Sequence, residues 1–460
     1  MASHSAQSLV ASLSGKKVAI MSYGSRGDIQ PFVALGTRLQ AEGAHVLLAT
    51  NVDHLDFVRS FGLEVSATAG SCRADHESPE FLRGIATGDF GPFFAQQFQE
   101  KAAKMPETSK KEQEAVEAFG PDLLYATPLT YQSACRISSA LGVPMVLGSL
   151  FPAEAPLSNL GFRPWRAPEH PTFIHWSPEL TKLQPWQAVS HRVTGFLVVG
   201  AQEDGRAQDH VFGGAEARRR LEAFLAAGEA PVYMGWGSMP VPRETASLAV
   251  RALKRAGLRG VVLGGWAKLD ATMLAGQPDE EELLAYAAEH VIFVRNAPHE
   301  WLLPRCSVTV HHGGAGTVAA ALRAGVPTVV TPCGLDQPEN ARVVEASGCG
   351  VALPQIASVT AEGLAAALER CAHDEEMRAR SKAMAARLRS EDGLGCVVEE
   401  IAAYLEQKAR ESRGVAEARA QATALRLAAR DFTRNVVARS PLAQHFAGVV
   451  AARRAARSVA

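Results

Sequence analysis

Two short segments carry the residue types that group transfer from a phosphate ester needs. In the first, His311-His312-Gly313-Gly314-Ala315-Gly316-Thr317 joins an apolar run, Val308–Val310, to a stretch of good helix formers. Glycines at such a turn let a ligand approach the main chain. A helix N-terminus behind them offers free N–H groups and the positive end of a dipole to an anion. His312 adds a donor to the same anion. Gly325 stops the helix, Pro327 leads into the β-branched run Thr328–Thr331, and Asp336-Gln337 follow with acceptors and donors suited to sugar hydroxyls. The combination points to a nucleotide-sugar diphosphate.

The second segment, Tyr23-Gly24-Ser25-Arg26-Gly27-Asp28-Ile29-Gln30-Pro31, lies between a first apolar strand and a first helix. Asp28 there is either a helix N-cap or a carboxylate exposed to a cleft. A sugar on a diphosphate already has its leaving group; the missing part is a base for the acceptor hydroxyl, and direct in-line attack inverts the anomeric carbon. A helix terminus would lower the pKa of such an Asp and weaken it as a base. No metal site stands out. His311-His312 are adjacent rather than at helical spacing, and neither HExxH nor DxD occurs. Fixed dipoles and His312 are therefore expected to steady the leaving diphosphate without a metal, and no cofactor is expected beyond the sugar-nucleotide co-substrate.

The elements that must hold these groups read as α/β. Lys17–Tyr23 is a buried-strand pattern, Pro31–Gln40 a helix stopped by Gly43, and 46–50 a second strand. Asp122–Tyr125, Pro144–Ser149 and Gly195–Gly200 read as further strands, with a helix over Tyr131–Leu141. Residues 70–120 read as irregular loops and short helices. Residues 150–190, rich in Pro and Trp, read as one long shaped loop. A second alternation follows: strands at Val232–Trp236, Gly260–Leu263 and Val291–Val294 and a helix at Ala246–Ala256. The expected domains are a flexible lead-in at 1–15, an acceptor domain at 16–200, a linker at 201–215, a nucleotide-sugar domain at 216–400, and C-terminal helices with an Arg-rich tail at 401–460.

Composition narrows the class. The chain has 460 residues, net charge −1, 47% hydrophobic and 21% charged residues. That is enough for two domains with cores of their own, and it gives no global basic field for nucleic acid. Seven scattered cysteines without a CxxC pair suggest thiols in a reducing compartment. The first residues lack a signal-peptide pattern, and no apolar run reaches membrane-spanning length, so the expected location is the cytoplasm. Residues 415–460 read as solvated helices packing across the domains. Contact with anionic lipid through the arginines is the second reading, which makes the chain peripheral to a membrane.

His311–Thr317, the LRAGVPT that follows and Asp336-Gln337-Pro338 resemble the donor motif of family 1 glycosyltransferases. The similarity is greatest to the sterol-glucosyltransferase and bacterial natural-product branch, which GSRGDIQPFVALG at 24–36 also resembles. The resemblance implies the GT-B fold: two facing Rossmann-like domains with parallel sheets and an interdomain cleft. It implies Asp28 as the base, and donor contacts at Ser25, Gly27, Ser238, Asn296, His299, His312, Gly314, Ala315, Gly316, Thr317, Asp336 and Gln337. Trp266 is expected in the cleft, Trp301 in the core, and Phe173, His175 and Trp176 against the acceptor. The donor would be UDP-glucose, and the acceptor a hydroxyl of a sterol, polyketide or other apolar molecule, with no obligate protein partner. Two departures stand out. Asn296 replaces the Trp that plant members stack on the base, and Ala320 replaces their ribose-binding Glu, which leaves ribose recognition unassigned. Competing readings are another sugar-nucleotide enzyme of this fold (a GlcNAc transferase or epimerase), a non-catalytic auxiliary protein, and an NAD-dependent oxidoreductase. The last is disfavoured by GSRGD in place of GxGxxG and by Thr50-Asn51 where an acidic residue would stand.

Overall fold

Val18 to Met21 are all buried, as expected of a parallel strand covered on both faces. The chain, described here by a computed structural model, is defined over residues 11–153, 170–185, 187–198 and 209–439. Strand β1 (Lys17–Met21) is followed by α1 (Arg26–Ala41), β2 (His45–Asn51), α2 (Leu55–Ser60), β3 (Glu64–Ala69), α3 (Cys72–His76), α4 (Pro79–Thr87) and α5 (Gly91–Phe119). Then come β4 (Leu123–Ala126), α6 (Tyr131–Leu141), β5 (Met145–Ser149), β6 (Thr172–Ile174) and β7 (His191–Val193). These strands form one parallel sheet in the order β3-β2-β1-β4-β5-β6-β7.

The second alternation runs α7 (Ala215–Ala226), β8 (Val232–Gly235), α8 (Glu244–Ala256), β9 (Gly260–Leu263), α9 (Glu280–His290), β10 (Val291–Val294) and α10 (His299–Leu302). It continues through β11 (Val308–His311), α11 (Ala315–Ala324), β12 (Thr328–Val330), α12 (Gln337–Ala346), β13 (Gly350–Ala352), α13 (Ala361–His373) and α14 (Glu375–Ser390) to α15 (Gly393–Arg439). Its sheet is also parallel, in the order β10-β9-β8-β11-β12-β13. The expected α/β class with two parallel sheets is therefore what the chain adopts.

Both sheets reverse direction at one place. In the first, β1 pairs with β2 on one side and β4 on the other, Val18 standing opposite both Val46 and Leu123. In the second, the reversal lies between β8 and β11, with Val310 opposite Met234. Crevices form beyond the carboxyl ends of strands at such switch points. The loops there are 22–25 after β1, 236–240 after β8 and 312–314 after β11.

The hydrophobic clusters run through both halves. Phe81, Ile85, Phe90 and Phe93 of α4 and its neighbours join one cluster with Val232, Met234, Trp236 and Val310 of the second sheet. Ile174, Trp176 and Phe196 join another with Val318, Leu322, Val344 and Leu388.

Several expectations need correction. Helix α1 begins at Arg26, not Pro31, because Ser25 is extended (φ −75, ψ 178) and serves as N-cap; Pro31 sits inside the helix. Residues 70–120 are mostly helical, and α5 alone has 29 residues. Strands β3, β6 and β13 were not expected. The strand predicted at 195–200 lies earlier, at His191–Val193, and 194–198 is irregular. The linker predicted at 201–215 lies outside the described residues up to 208; Asp209–Phe212 is a 3-10 turn, and a helix starts at Ala215. Residues 154–169 of the predicted loop, 1–10 of the lead-in and 440–460 of the tail also lie outside the described residues. From Ala403 the described residues form a separate unit, helical to Arg439, with ion pairs Lys408–Glu411 and Arg410–Glu406 at 2.9 Å. No described helix is long and apolar enough to cross a membrane.

Candidate active site

The loops at the two switch points face one cleft of about 1830 Å³. Gly24, Ser25, Gly27 and Asp28 line it from the first half, and Ser238, His312, Gly314–Thr317 and Asp336 from the second.

Asp28 occupies the third position of α1, so its carboxylate folds back over the turn before the helix. Its Oδ2 accepts from the Ser25 main-chain N–H at 2.7 Å and from Ser25 Oγ at 3.0 Å. Ser22 Oγ donates to the Asp28 carbonyl at 3.0 Å. Gly24 makes this possible: at φ +143 any Cβ would run into the Asp28 carboxylate. Burial pushes the Asp28 pKa up, and the Ser25 hydrogen bonds pull against it, with burial the larger effect. The weakening expected from the helix terminus is thus outweighed. Ser25, expected at the donor, uses its side chain to orient this carboxylate, and Gly27 is an exposed residue of the first helical turn.

On the other wall the two adjacent histidines divide their tasks. His311 is fully buried; Thr328 Oγ1 lies 2.8 Å from Nε2, and Nδ1 accepts from the Gly313 N–H at 3.1 Å. That fixes the turn. His312 faces the cleft with Nδ1 unpartnered, and burial followed by the nearby His299 depresses its pKa to about 4. A Cβ on Gly314 would stand 2.5 Å from His312 Nε2, and one on Gly237 would stand 3.0 Å from its Cε1. Both glycines are there to admit the ring. Gly314 caps α11, and Ala315, Gly316 and Thr317 form its first turn, so the helix end points free N–H groups at the cleft as expected.

Asp336 stands at the N-cap of α12, after Leu335 in the left-handed region (φ 61). Asn340, one turn on and fully buried, donates from Nδ2 to Asp336 Oδ2 and to the Gly313 carbonyl, both at 2.8 Å. It ties the acid to the glycine turn. Burial first, and then the charge of Asp28, raise the Asp336 pKa to about 6. The two carboxylates therefore sense one another across the cleft. Gln337 departs from expectation: it is 3% exposed, Oε1 accepts from the Cys333 N–H at 2.8 Å, and Nε2 points at Met239 Sδ at 3.3 Å. Its amide braces the loop rather than standing open to a hydroxyl.

Ser238 lines the cleft on the turn after β8, and Trp266 is held over that turn by its N–H on the Gly237 carbonyl at 3.0 Å. Asn296 is exposed at the cleft edge. His299 opens α10 with Nε2 2.9 Å from the Tyr233 hydroxyl, and burial, then Arg26, lower its pKa to about 4. Trp301, expected in the core, is partly buried and packs edge-on to Phe212 against the core cluster.

The remaining wall is apolar: Phe93, Phe94, Leu129, Leu150, Phe151 and Phe196. Of the three residues expected at the acceptor, only His175 reaches it. Its Nε2 lies 2.6 Å from the Tyr125 hydroxyl and its Nδ1 2.9 Å from Thr194 Oγ1, and burial drives its pKa down to about 3. Phe173 and Trp176 are core residues, 1% and 0% exposed; Trp176 Nε1 donates to the Leu150 carbonyl and its ring packs on Phe196. Sequence reasoning passed over Asn340, whose four-residue spacing from Asp336 was the available signal. It also passed over Leu129 and the α3 residues Asp75 and His76, which carried none. Among the described residues, no group of three His, Cys, Asp or Glu is placed to hold a metal.

Comparison with known proteins fits this geometry. Residues 18–119 match the glycosyltransferase family 28 N-terminal domain, and 260–405 the erythromycin biosynthesis protein CIII-like C-terminal domain. The chain is 29% identical over 432 residues to the sterol 3-beta-glucosyltransferase UGT80B1 of Arabidopsis thaliana, covering 85% of this chain and 68% of that one. It is 30% identical over 429 residues to the O-mycaminosyltylonolide 6-deoxyallosyltransferase of Streptomyces fradiae, covering 83% and 96%. The calicheamicin glycosyltransferase CalG4 shares its fold, with a TM-score of 0.63 at 18% identity over 85% of this chain and 98% of that one. The chain thus belongs to the GT-B glycosyltransferase family that contains the sterol glucosyltransferases and the sugar transferases of bacterial natural products.

Proposed function

We propose that the chain is an inverting glycosyltransferase that moves a hexose from a nucleoside diphosphate, UDP-glucose first, to a hydroxyl of an apolar acceptor such as a sterol or polyketide. The observation that carries this reading is the pairing of chemistries in one cleft. Asp28, oriented by Ser25, stands on one wall; the N-terminus of α11, His312 and Asp336 stand on the other. The acceptor hydroxyl would give its proton to Asp28 while attacking the anomeric carbon from the face opposite the diphosphate. The α11 N–H groups, Ser238 and His312 would hold the departing diphosphate without a metal, and Asp336 would accept from hydroxyls of the hexose. The apolar wall favours an acceptor with little polar surface, in keeping with the activities named for the Arabidopsis and Streptomyces relatives.

The test is to incubate the chain with UDP-glucose or a thymidine diphosphate hexose and a panel of sterols and macrolides. A hexose mass gain that survives excess EDTA is expected. No product with either donor removes the reading, and loss with EDTA that Mg²⁺ restores removes its metal-free part.

A further inference from the structure

Gly24 gives the Asp28 turn its room, but glycine is the residue least able to fix its own conformation. At φ +143 it stands where other residues are strained. What holds it lies on the neighbouring strand. β2 pairs with β1 and ends at Asn51, and the 3-10 turn Val52–His54 follows. Asn51 is fully buried and His54 is 5% exposed. Asn51 Oδ1 accepts from the Gly24 N–H at 3.3 Å, and His54 Nε2 lies 3.1 Å from the Gly24 carbonyl. Both polar groups of the glycine are thus tied to one corner.

The corner is itself braced. Thr50 Oγ1 donates to Asn51 Oδ1 at 3.2 Å, Asn51 Nδ2 donates to Asp53 Oδ2 at 2.8 Å, and Asp53 Oδ1 accepts from Ser71 Oγ at 2.7 Å. A carbonyl only accepts, so His54 Nε2 carries the hydrogen. Burial lowers the His54 pKa, with the Gly24 bond pulling the other way.

One peptide unit joins His54 to Asp28. The Gly24 carbonyl and the Ser25 N–H belong to the same planar trans group and point in opposite directions. His54 donates to the carbonyl at one end, and the N–H at the other end donates to Asp28 Oδ2 at 2.7 Å. Rotating that plane takes the donor off the carboxylate, and hydrogen bonds in series strengthen one another. His54 is not one of the residues that line the cleft.

We propose that His54 is a positioning residue: through the Gly24–Ser25 peptide it fixes the N–H that orients the Asp28 carboxylate, without touching either substrate. This rests on the reading of Asp28 as the base.

The experiment compares the full chain with its His54→Phe, His54→Gln and Asp28→Asn variants. Steady-state kinetics uses the donor and acceptor pair that gives the hexose product, and calorimetry measures UDP. His54→Phe keeps a ring and removes the donor. It should lower kcat about tenfold to a hundredfold, the scale of a misplaced catalytic group. The KM of both substrates and the UDP affinity should match the parent. A Gln side chain brings an amide N–H near the place of Nε2, so His54→Gln should recover most of the loss. A parent-like kcat for His54→Phe overturns the assignment. A loss that Gln does not recover, or one matched by a loss of UDP affinity, also overturns it, since either marks the ring as packing. Normal turnover by Asp28→Asn overturns the reading of Asp28 as the base and this inference with it, a failure that does not depend on the His54 variants.

Discussion

The hydrogen bonds of Asp28, the base of the proposed reaction, fall on one oxygen. Ser25 occupies Oδ2 twice, which fixes the carboxylate plane and leaves Oδ1 for an incoming hydroxyl. Burial raises its pKa, so the bound proton is held more firmly than by an exposed Asp. Asp28→Asn should slow transfer by about 10²–10⁴ while calorimetry shows unchanged UDP affinity; normal turnover would remove Asp28 from the chemistry. Asp336 supplies a different test. Its folded pKa of about 6 lies above the unfolded value, near 3.9. The folded state therefore holds the proton more tightly. That contribution to stability is complete below about pH 4 and is lost as the pH rises through 6. In the ligand-free chain Asp336→Asn should raise the melting temperature at pH 7.5 relative to the parent, with no gain at pH 4. A shift of equal size at both pH values would show that the carboxylate does not carry this strain.

The turn between β1 and α1 sets what Asp28 can do, and Gly24 sets the turn. A side chain at φ +143 is strained, and its Cβ would displace the carboxylate. Gly24→Ala is expected to lower kcat by about 10²-fold through misplacement, with little change in donor KM; steady-state kinetics showing a parent-like kcat would separate Gly24 from the base. The sequence made this turn legible, and most of the second sheet with it, because the strands there are short apolar runs, several of them closed by Gly or Pro. Gly260–Leu263 and Val291–Val294 fall where the pattern puts them. What stayed hidden has physical reasons. Pro106 lies within α5, and an interior proline reads locally as a helix breaker. The capping of α1 by Ser25 moved the helix start five residues ahead of Pro31. β6 is only three residues long, and it buries Phe173, which composition alone could not tell from a pocket residue. Gln337 sat at a hydroxyl-binding spacing, but its amide was taken by Cys333 and Met239, partners distant in pattern and near in space.

At the scale of the molecule, the first half reaches into the core of the second. Phe90 packs where Gly334 has no side chain, and Phe81 and Phe93 share a cluster with β8 and β11. The cleft is therefore floored by packed aromatics, and its two walls differ in chemistry. Histidines and a helix end line part of it; Phe94, Leu129, Leu150 and Phe151 make another part apolar. Leu129 is 50% exposed, a large apolar side chain left open at the rim. Its backbone is nonetheless fixed, because Thr130 Oγ1 donates to the Met21 carbonyl at 2.8 Å and so pins the turn to the end of β1. On the proposed function, a larger side chain there would narrow the acceptor space without moving Asp28 or the residues proposed to hold the diphosphate. Leu129→Trp should therefore raise the KM of a bulky sterol about tenfold or more, the scale on which apolar pockets discriminate by size. A small phenolic acceptor should be spared, and UDP affinity should match the parent. If UDP affinity falls while both acceptors are used as before, the division of the cleft into an apolar acceptor wall and a polar donor wall is wrong.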